Sequence, residues 1–410
     1  MNDRSYNIGI LGGGAAGLFT ACMLRKLGFR GKAAILDRNK ELGIKLTLTG
    51  HGRCNITNLK EISDLKRGYH EAAGFITPAL RSFGPKDTME LLSDTLGLML
   101  KEEDNNRIFP VSDSAVKVRD ALRNYIASFA DIKTDTKILN VSHKDRFEVG
   151  TDKGTYTFDS IVLCCGGSSF AKTGSMGDSY RFAKELGHTI VPIRPALVPI
   201  KTDPLPLSGL SLKAAISLYV SGRKTNTITD DLLFADFGIT GPGPMEIARD
   251  IPEDISDCHL EIDLVPDIPE DSLGKELIGL IDIHPDTKIV NILSRYIPQR
   301  VAGVIADMTG LTDSYAQGLT KSSRKAIVSH MKHLVLGIRE RPSLDKAYVT
   351  RGGVDLREIS RKTFASRIVP GLYIAGEALD IDGISGGYNL QAAMSEAYLI
   401  ARSIKEDIHE

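Results

Sequence analysis

The chain has 410 residues, 42% hydrophobic and 25% charged, with 51 Lys and Arg against 52 Asp and Glu for a formal charge of −1. That length holds two or three domains, the composition is that of an ordinary globular protein, and the even charge balance argues against a dedicated nucleic-acid binder. No run of ~18 apolar residues is present to span a membrane, and five cysteines without a C-x-x-C fit neither a disulfide framework nor a four-cysteine zinc site.

The first residues, Met-Asn-Asp-Arg-Ser-Tyr, run into a strand pattern without a secretory signature, so a cytoplasmic location is expected. Apolar residues 8–11 predict a buried strand. Gly12-Gly13-Gly14-Ala15-Ala16-Gly17 follows, a G-x-G-x-x-G opening a helix over 18–27 with Leu18, Ala21, Cys22, Leu24 and Leu27 on one face. A second apolar run, 33–36, ends on Asp37. In such a unit Gly12 permits the tight turn, Gly14 lets backbone approach a pyrophosphate, and Gly17 lets helix and strand pack closely. The free N–H groups of the helix start face the phosphates. Asp37 accepts from the ribose hydroxyls of an adenosine and repels a 2′-phosphate.

Residues 43–58 read G-I-K-L-T-L-T-G-H-G-R-C-N-I-T-N and predict a polar loop carrying Lys45 and Arg53 past the dinucleotide. A helix is expected over 115–129, then strands over 137–141, 146–149, 155–158 and 160–165. The last closes on Gly166-Gly167, where a sheet can meet a flat ligand. A helix over 177–187 follows. Pro192, Pro195, Pro199, Pro204 and Pro206 mark a boundary. Short strands are expected over 198–201, 214–220, 232–234 and 258–264, then helices over 273–281, 288–296, 300–309 and 323–336. The first style returns after Tyr348: a strand over 371–376, Glu377, Asp380 and Asp382, then Gly386-Gly387-Tyr388-Asn389 opening a helix over 390–404.

These elements predict an α/β protein with a Rossmann-type domain split into 1–191 and 346–410. A β-rich insert of 192–271 with 339–345 and a small helical insert of 272–338 interrupt it. One dinucleotide spanning two glycine loops suits FAD, with the pyrophosphate at the first helix and the ribityl and isoalloxazine at the last.

The stretches Lys45 to Asn58 and Gly371 to Asn389, with Gly352-Gly353-Val354 and the segment from Phe234 to Pro242, resemble the YhiN-like family of bacterial flavoproteins over nearly the whole chain. The first fits K-x-x-x-S-G-x-G-R-C-N-x-T-N with Thr49 for Ser. The second fits G-L-Y-x-A-G-E-x-L-D-x-x-G-x-x-G-G-Y-N throughout. The resemblance implies an FAD-dependent oxidoreductase with Gly12, Gly14, Ala16, Gly17, Asp37, Arg53, Gly166, Gly376, Asp380 and Asn389 on the cofactor. Ala15, Arg38, Lys45, Thr49, Gly50, Gly52, Cys54, Ile138, Cys165, Gly167, Glu377, Gly386, Gly387 and Tyr388 are expected beside them. The chain departs from relatives at His51 (Gly or Asn), Ala235-Asp236 (Thr-His), and Ala392 and Met394 (Trp). The family is linked to aminoacetone oxidation and to reduction of conjugated enones of bile-acid type.

His51 is a candidate acid or base, and Tyr388 a candidate to stack on or hydrogen-bond near the flavin. Arg53 pairs either with the cofactor or with a structural carboxylate. Cys54 has no partner cysteine at redox spacing and reads as a packing thiol, Cys164 and Cys165 as buried, Glu377 as an orienting carboxylate. His330 and His333 have i,i+3 spacing without nearby carboxylates, so no metal is expected. The leading expectation is hydride transfer between a small organic substrate and flavin N5, with NAD(P)H as the other redox partner, no nucleic acid and no membrane. An oxygen-using amine oxidase is the alternative. An RNA-modifying flavoprotein and a non-catalytic flavin sensor are readings from other classes.

Overall fold

The computed structural model describes residues 4–409. They divide into two compact units, one formed by the chain up to Pro195 and from Tyr348 onward, the other by Ala196–Ala347.

The first unit is built on β1 (Ser5–Leu11), α1 (Ala15–Lys26), β2 (Ala33–Leu36), α2 (Ala115–Ile126), β3 (Ala130–Lys133), β4 (Ile138–His143), β5 (Phe147–Thr151), β6 (Gly154–Leu163), α3 (Asp178–Glu185), β7 (Leu372–Ile374) and α4 (Tyr388–His409). The parallel strands run β3–β2–β1–β6–β7. The β4–β5 hairpin extends the sheet, β5 pairing antiparallel with the start of β6. All four residues of β2 are buried, as are Ile8, Ile10 and Leu11 of β1. Continuous apolar strands of this kind belong to a parallel sheet covered on both faces. Strand β7 arrives from the far end of the sequence and pairs Leu372–Ile374 with Ile161–Leu163. The split domain thereby closes, and the ends of β1, β2, β6 and β7 are brought together.

The two strands expected over 155–158 and 160–165 are one, β6. Asp159 does not break it, because its carboxylate points outward, accepting from Asn7 and forming an ion pair with Arg146. The expected polar loop is also more ordered than its composition implies. Lys45–Gly52 winds as an irregular 3-10 segment in which Gly50 and His51 take left-handed φ of 55° and 56°. Thr57–Asn58 then pairs with Ile108 and Arg107.

In the second unit a six-stranded sheet runs in the order Ile200–Lys201, Gly238–Thr240, Arg223–Ala235, Ser211–Val220, Cys258–Asp263, Leu334–Gly337. Helices Glu270–Ile283, Ile289–Leu293, Gln299–Met308 and Lys321–Lys332 follow. Strands and helices share one apolar core, with Ile216, Leu260 and Ile262 in the same cluster as Leu277, Ile305 and Met331.

Candidate cofactor site

A cleft lies in the first unit, at the carboxyl ends of β1, β2, β6 and β7. A topological switch point of an α/β sheet is where such ligand sites form. Its floor is the glycine turn after β1. Gly12 has φ of 110°, and a Cβ there would collide with the Cys164 carbonyl oxygen, so the turn needs glycine. A Cβ on Gly17 would strike the Gly12 carbonyl oxygen. A Cβ on Gly14 would meet nothing within 4 Å. Gly12 and Gly17 are therefore fixed by packing, whereas Gly14 leaves a cradle open to the cleft. Helix α1 starts there with no side-chain cap and no acid in its first turn, so its amide groups and positive dipole end suit an anion.

Asp37 ends β2 at one side. Its Oδ2 accepts the Gly13 N–H at 2.6 Å and its Oδ1 the Asn39 N–H at 2.7 Å. Burial raises the carboxyl above its ordinary pKa, against the pull of those two N–H groups. Arg38 pairs with Asp178 at 3.0 Å. At the opposite side Lys45 Nζ donates to Glu377 Oε2 at 2.5 Å and to Ser169 Oγ at 2.7 Å. Glu377 Oε1 accepts from Ser169 at 2.5 Å and from the Thr350 N–H at 2.7 Å. Burial works against ionisation of Glu377. The Lys45 charge and the hydrogen bonds of Lys45, Ser169 and Thr350 outweigh it, and the carboxyl lies below its ordinary range.

Of the sequence-predicted residues, Gly12, Gly14, Ala15, Ala16, Asp37, Arg38, Lys45, Thr49, Ile138, Cys165, Gly166, Gly376, Glu377 and Asn389 line this cleft. The Asn389 amide clamps its own approach loop, accepting from the Gly383 N–H and donating to the Gly383 carbonyl, both at 2.9 Å.

Others are placed elsewhere. Arg53 is outside the lining, makes a bidentate pair with Glu103 at 2.9 and 3.0 Å and lies over the Phe109 ring. His51 is exposed and outside the lining. Tyr388 is 2% exposed and packed on Tyr69, ring centroids 5.6 Å apart, with its carbonyl taking the Tyr69 hydroxyl. The structure thus brings neither catalytic candidate to the cleft. Cys54 is buried, which raises its thiol pKa to about 12, as a packing thiol requires.

Gly17, Gly50, Gly52, Gly167, Asp380, Gly386 and Gly387 are also outside the lining. A Cβ on Gly167 would come within 2.5 Å of Thr350 Oγ1, and Asp380 accepts the Gly352 N–H at 3.0 Å. Gly387 has φ of 95°, and a Cβ there would come within 2.6 Å of the Thr57 backbone. Gly387 is thus required where the chain packs on the Thr57 strand, whereas Gly386 is set by its φ of 105°, since a Cβ there would meet nothing closer than 3.7 Å. The lining also holds Asn39, Ser175, Tyr348 and Glu396, which no motif singled out. Ala392 lines the cleft too, while Met394 is buried behind it. Among the described residues no group of three His, Cys, Asp or Glu could hold a metal ion, and no helix is long and apolar enough to cross a membrane.

The sequence profile of the HI0933-like protein Rossmann domain matches residues 6–403. The chain is 29% identical to the 3-dehydro-bile acid delta(4,6)-reductase of Clostridium scindens, over 97% of this chain and 99% of that one. It is 30% identical to the ribosomal RNA dihydrouridine synthase of Haemophilus influenzae, over 98% and 99% of the two chains. Among solved structures, the 3-ketosteroid delta1-dehydrogenase of Sterolibacterium denitrificans aligns over 98% of this chain and 100% of that one, with a TM-score of 0.54 and 11% identity. That likeness is one of fold.

Proposed function

Because the chain belongs to the HI0933-like Rossmann family and is an FAD-dependent oxidoreductase, we propose that it reduces a carbon–carbon double bond conjugated to a carbonyl in a small organic substrate, with NAD(P)H as reductant. The observation that carries this reading is the full-length likeness to a protein named for reducing such bonds in a 3-dehydro-bile acid. The residues of the cleft suit FAD. The uncapped start of α1 and the open face of Gly14 receive the pyrophosphate. Asp37 takes the adenosine ribose, and the Lys45–Glu377 wall and Asn389 border the flavin end. Bound FAD supplies the two-electron chemistry, and the protein supplies position and electrostatics. The chain carries no second G-x-G-x-x-G, so the nicotinamide nucleotide visits the flavin rather than occupying a domain of its own.

A second reading, reduction of a uridine base in RNA, is favoured by the Haemophilus influenzae relative. Dihydrouridine is likewise the product of saturating a double bond conjugated to a carbonyl, so both relatives' names describe one bond type. The charge of the second unit runs against it. Residues 196–347 hold 16 Lys and Arg against 21 Asp and Glu, whereas an RNA platform carries a basic surplus. Anaerobic NAD(P)H reduction of the holoprotein, followed by a panel of enones and a uridine-containing RNA, separates the two. Saturation of a small enone supports the first reading, and saturation of RNA uridine alone supports the second.

A further inference from the structure

Helix α4 turns an apolar face to the core, with Ala393, Met394, Ala397, Leu399 and Ile400 all buried. Glu396 stands among them, 1% exposed. Its Oε2 accepts the Gly376 N–H at 2.6 Å. Its Oε1 is buried without a hydrogen-bond partner among the described residues, although Glu396 lines the cleft. A buried polar atom without a hydrogen bond is costly, so Oε1 is a position for a ligand atom to fill.

The position says which part of FAD supplies it, and here the inference rests on the cofactor reading above. Gly376 packs so closely that a Cβ would lie 2.9 Å from the Ala16 Cβ. Ala16 is in the first turn of α1, the pyrophosphate end. The stretch of FAD running from there toward the start of α4 is the phosphate–ribityl linker, which presents hydrogen-bond acceptors, some of them anionic. An ionised carboxylate can only accept and would repel them; a protonated carboxyl can donate.

We propose that Glu396 is an FAD-binding residue that stays protonated and donates through its free carboxyl oxygen to the phosphate–ribityl linker of the cofactor. The surroundings favour the proton. Burial raises the carboxyl's pKa to about 7, against the single N–H of Gly376. The first turn of α1 opposite is Ala15-Ala16-Gly17 and carries no charge. Tyr69, from the segment Lys66–Ala72, is held as the neutral phenol by burial, Tyr388 and Glu396. Glu377, next to Gly376 in sequence, is neutralised by Lys45.

The sign of the pH effect follows. Linker phosphates raise the carboxyl's pKa further, so FAD binding above pH ~7 takes up a proton. Affinity then falls about tenfold per pH unit until the bound-state pKa is passed. Calorimetric titration of apoprotein with FAD at pH 8, in two buffers of different ionisation enthalpy, reads the uptake directly. The wild type should take up close to one proton, and its Kd should rise about tenfold or more between pH 6.5 and 8.5. Glu396→Gln, which keeps a neutral donor, should take up none and hold one Kd at both pH values. Glu396→Leu should bind weakly at both. Wild-type binding without proton uptake overturns the proposal and leaves the cofactor reading standing. Failure of the wild type to bind FAD at all overturns both.

Discussion

Lys45 Nζ and Glu377 Oε2 lie 2.5 Å apart, although 332 positions separate them in sequence. The pair ties the segment after the first βαβ unit to the loop after β7, and both residues line the cleft. It also has a measurable pH signature. The folded pKa of Glu377 is depressed, so its stabilising contribution is present above the ordinary carboxylate range and is lost as pH falls through the lowered value.

Lys45→Met should therefore destabilise the protein at pH 7, by about 1.5–3 kcal/mol, the worth of a hydrogen bond between charged groups. The difference should shrink as pH falls through the lowered pKa of Glu377, because the carboxyl is then neutral in the wild type as well as in the variant. Urea unfolding at several pH values checks this. An equal difference at pH 7 and in acid would show that the lysine acts through packing alone.

Asp37→Ala should weaken FAD binding by roughly tenfold to a hundredfold, the worth of one charge-assisted hydrogen bond of about 1.5–3 kcal/mol. Titration of apoprotein with FAD reads it out. Unchanged affinity would place the adenosine ribose elsewhere, leaving Asp37 only its bonds to Gly13 and Asn39.

The fingerprint glycines should separate when each is changed to alanine. Gly14→Ala puts a methyl group into open space, so the apoprotein should melt near the wild-type temperature and bind FAD poorly. Gly17→Ala puts one against the Gly12 carbonyl oxygen and should lower the apoprotein's Tm by several degrees. If both variants lose stability equally, the open cradle at Gly14 is not the feature that matters.

Arg53→Met should leave FAD affinity within about twofold, because the guanidinium is committed to Glu103 and Phe109. The pair is half exposed, so the stability loss should be about 1 kcal/mol or less. A large fall in FAD affinity would return Arg53 to the cofactor.

The parts of this site legible in the sequence were those where backbone geometry dictates residue type. Gly12 and Gly17 are glycine because a Cβ would strike neighbouring backbone, and Asp37 follows from strand spacing. What composition hid was set by tertiary contact. The motif marks Gly387 but not its neighbour in space, the Thr57 strand, whose backbone leaves no room for a Cβ there and which pairs with Ile108. Tyr388 and His51 sit in polar, motif-rich stretches, yet the chain turns one inward against Tyr69 and the other out to solvent. Glu396 went unmarked because it lies outside every glycine motif. Its one signal was an acid on the buried stripe of α4, beside Ala393, Ala397 and Ile400. The two runs that make β6 were separated in sequence by Asp159, whose outward partners no local pattern reveals.

Mixing anaerobically reduced holoprotein with a panel of small conjugated enones tests the central claim most directly. The account predicts that the flavin absorbance returns in a single turnover and that one equivalent of saturated ketone appears. Flavin that stays reduced with every small enone, yet is reoxidised on adding oxygen or uridine-containing RNA, would contradict it.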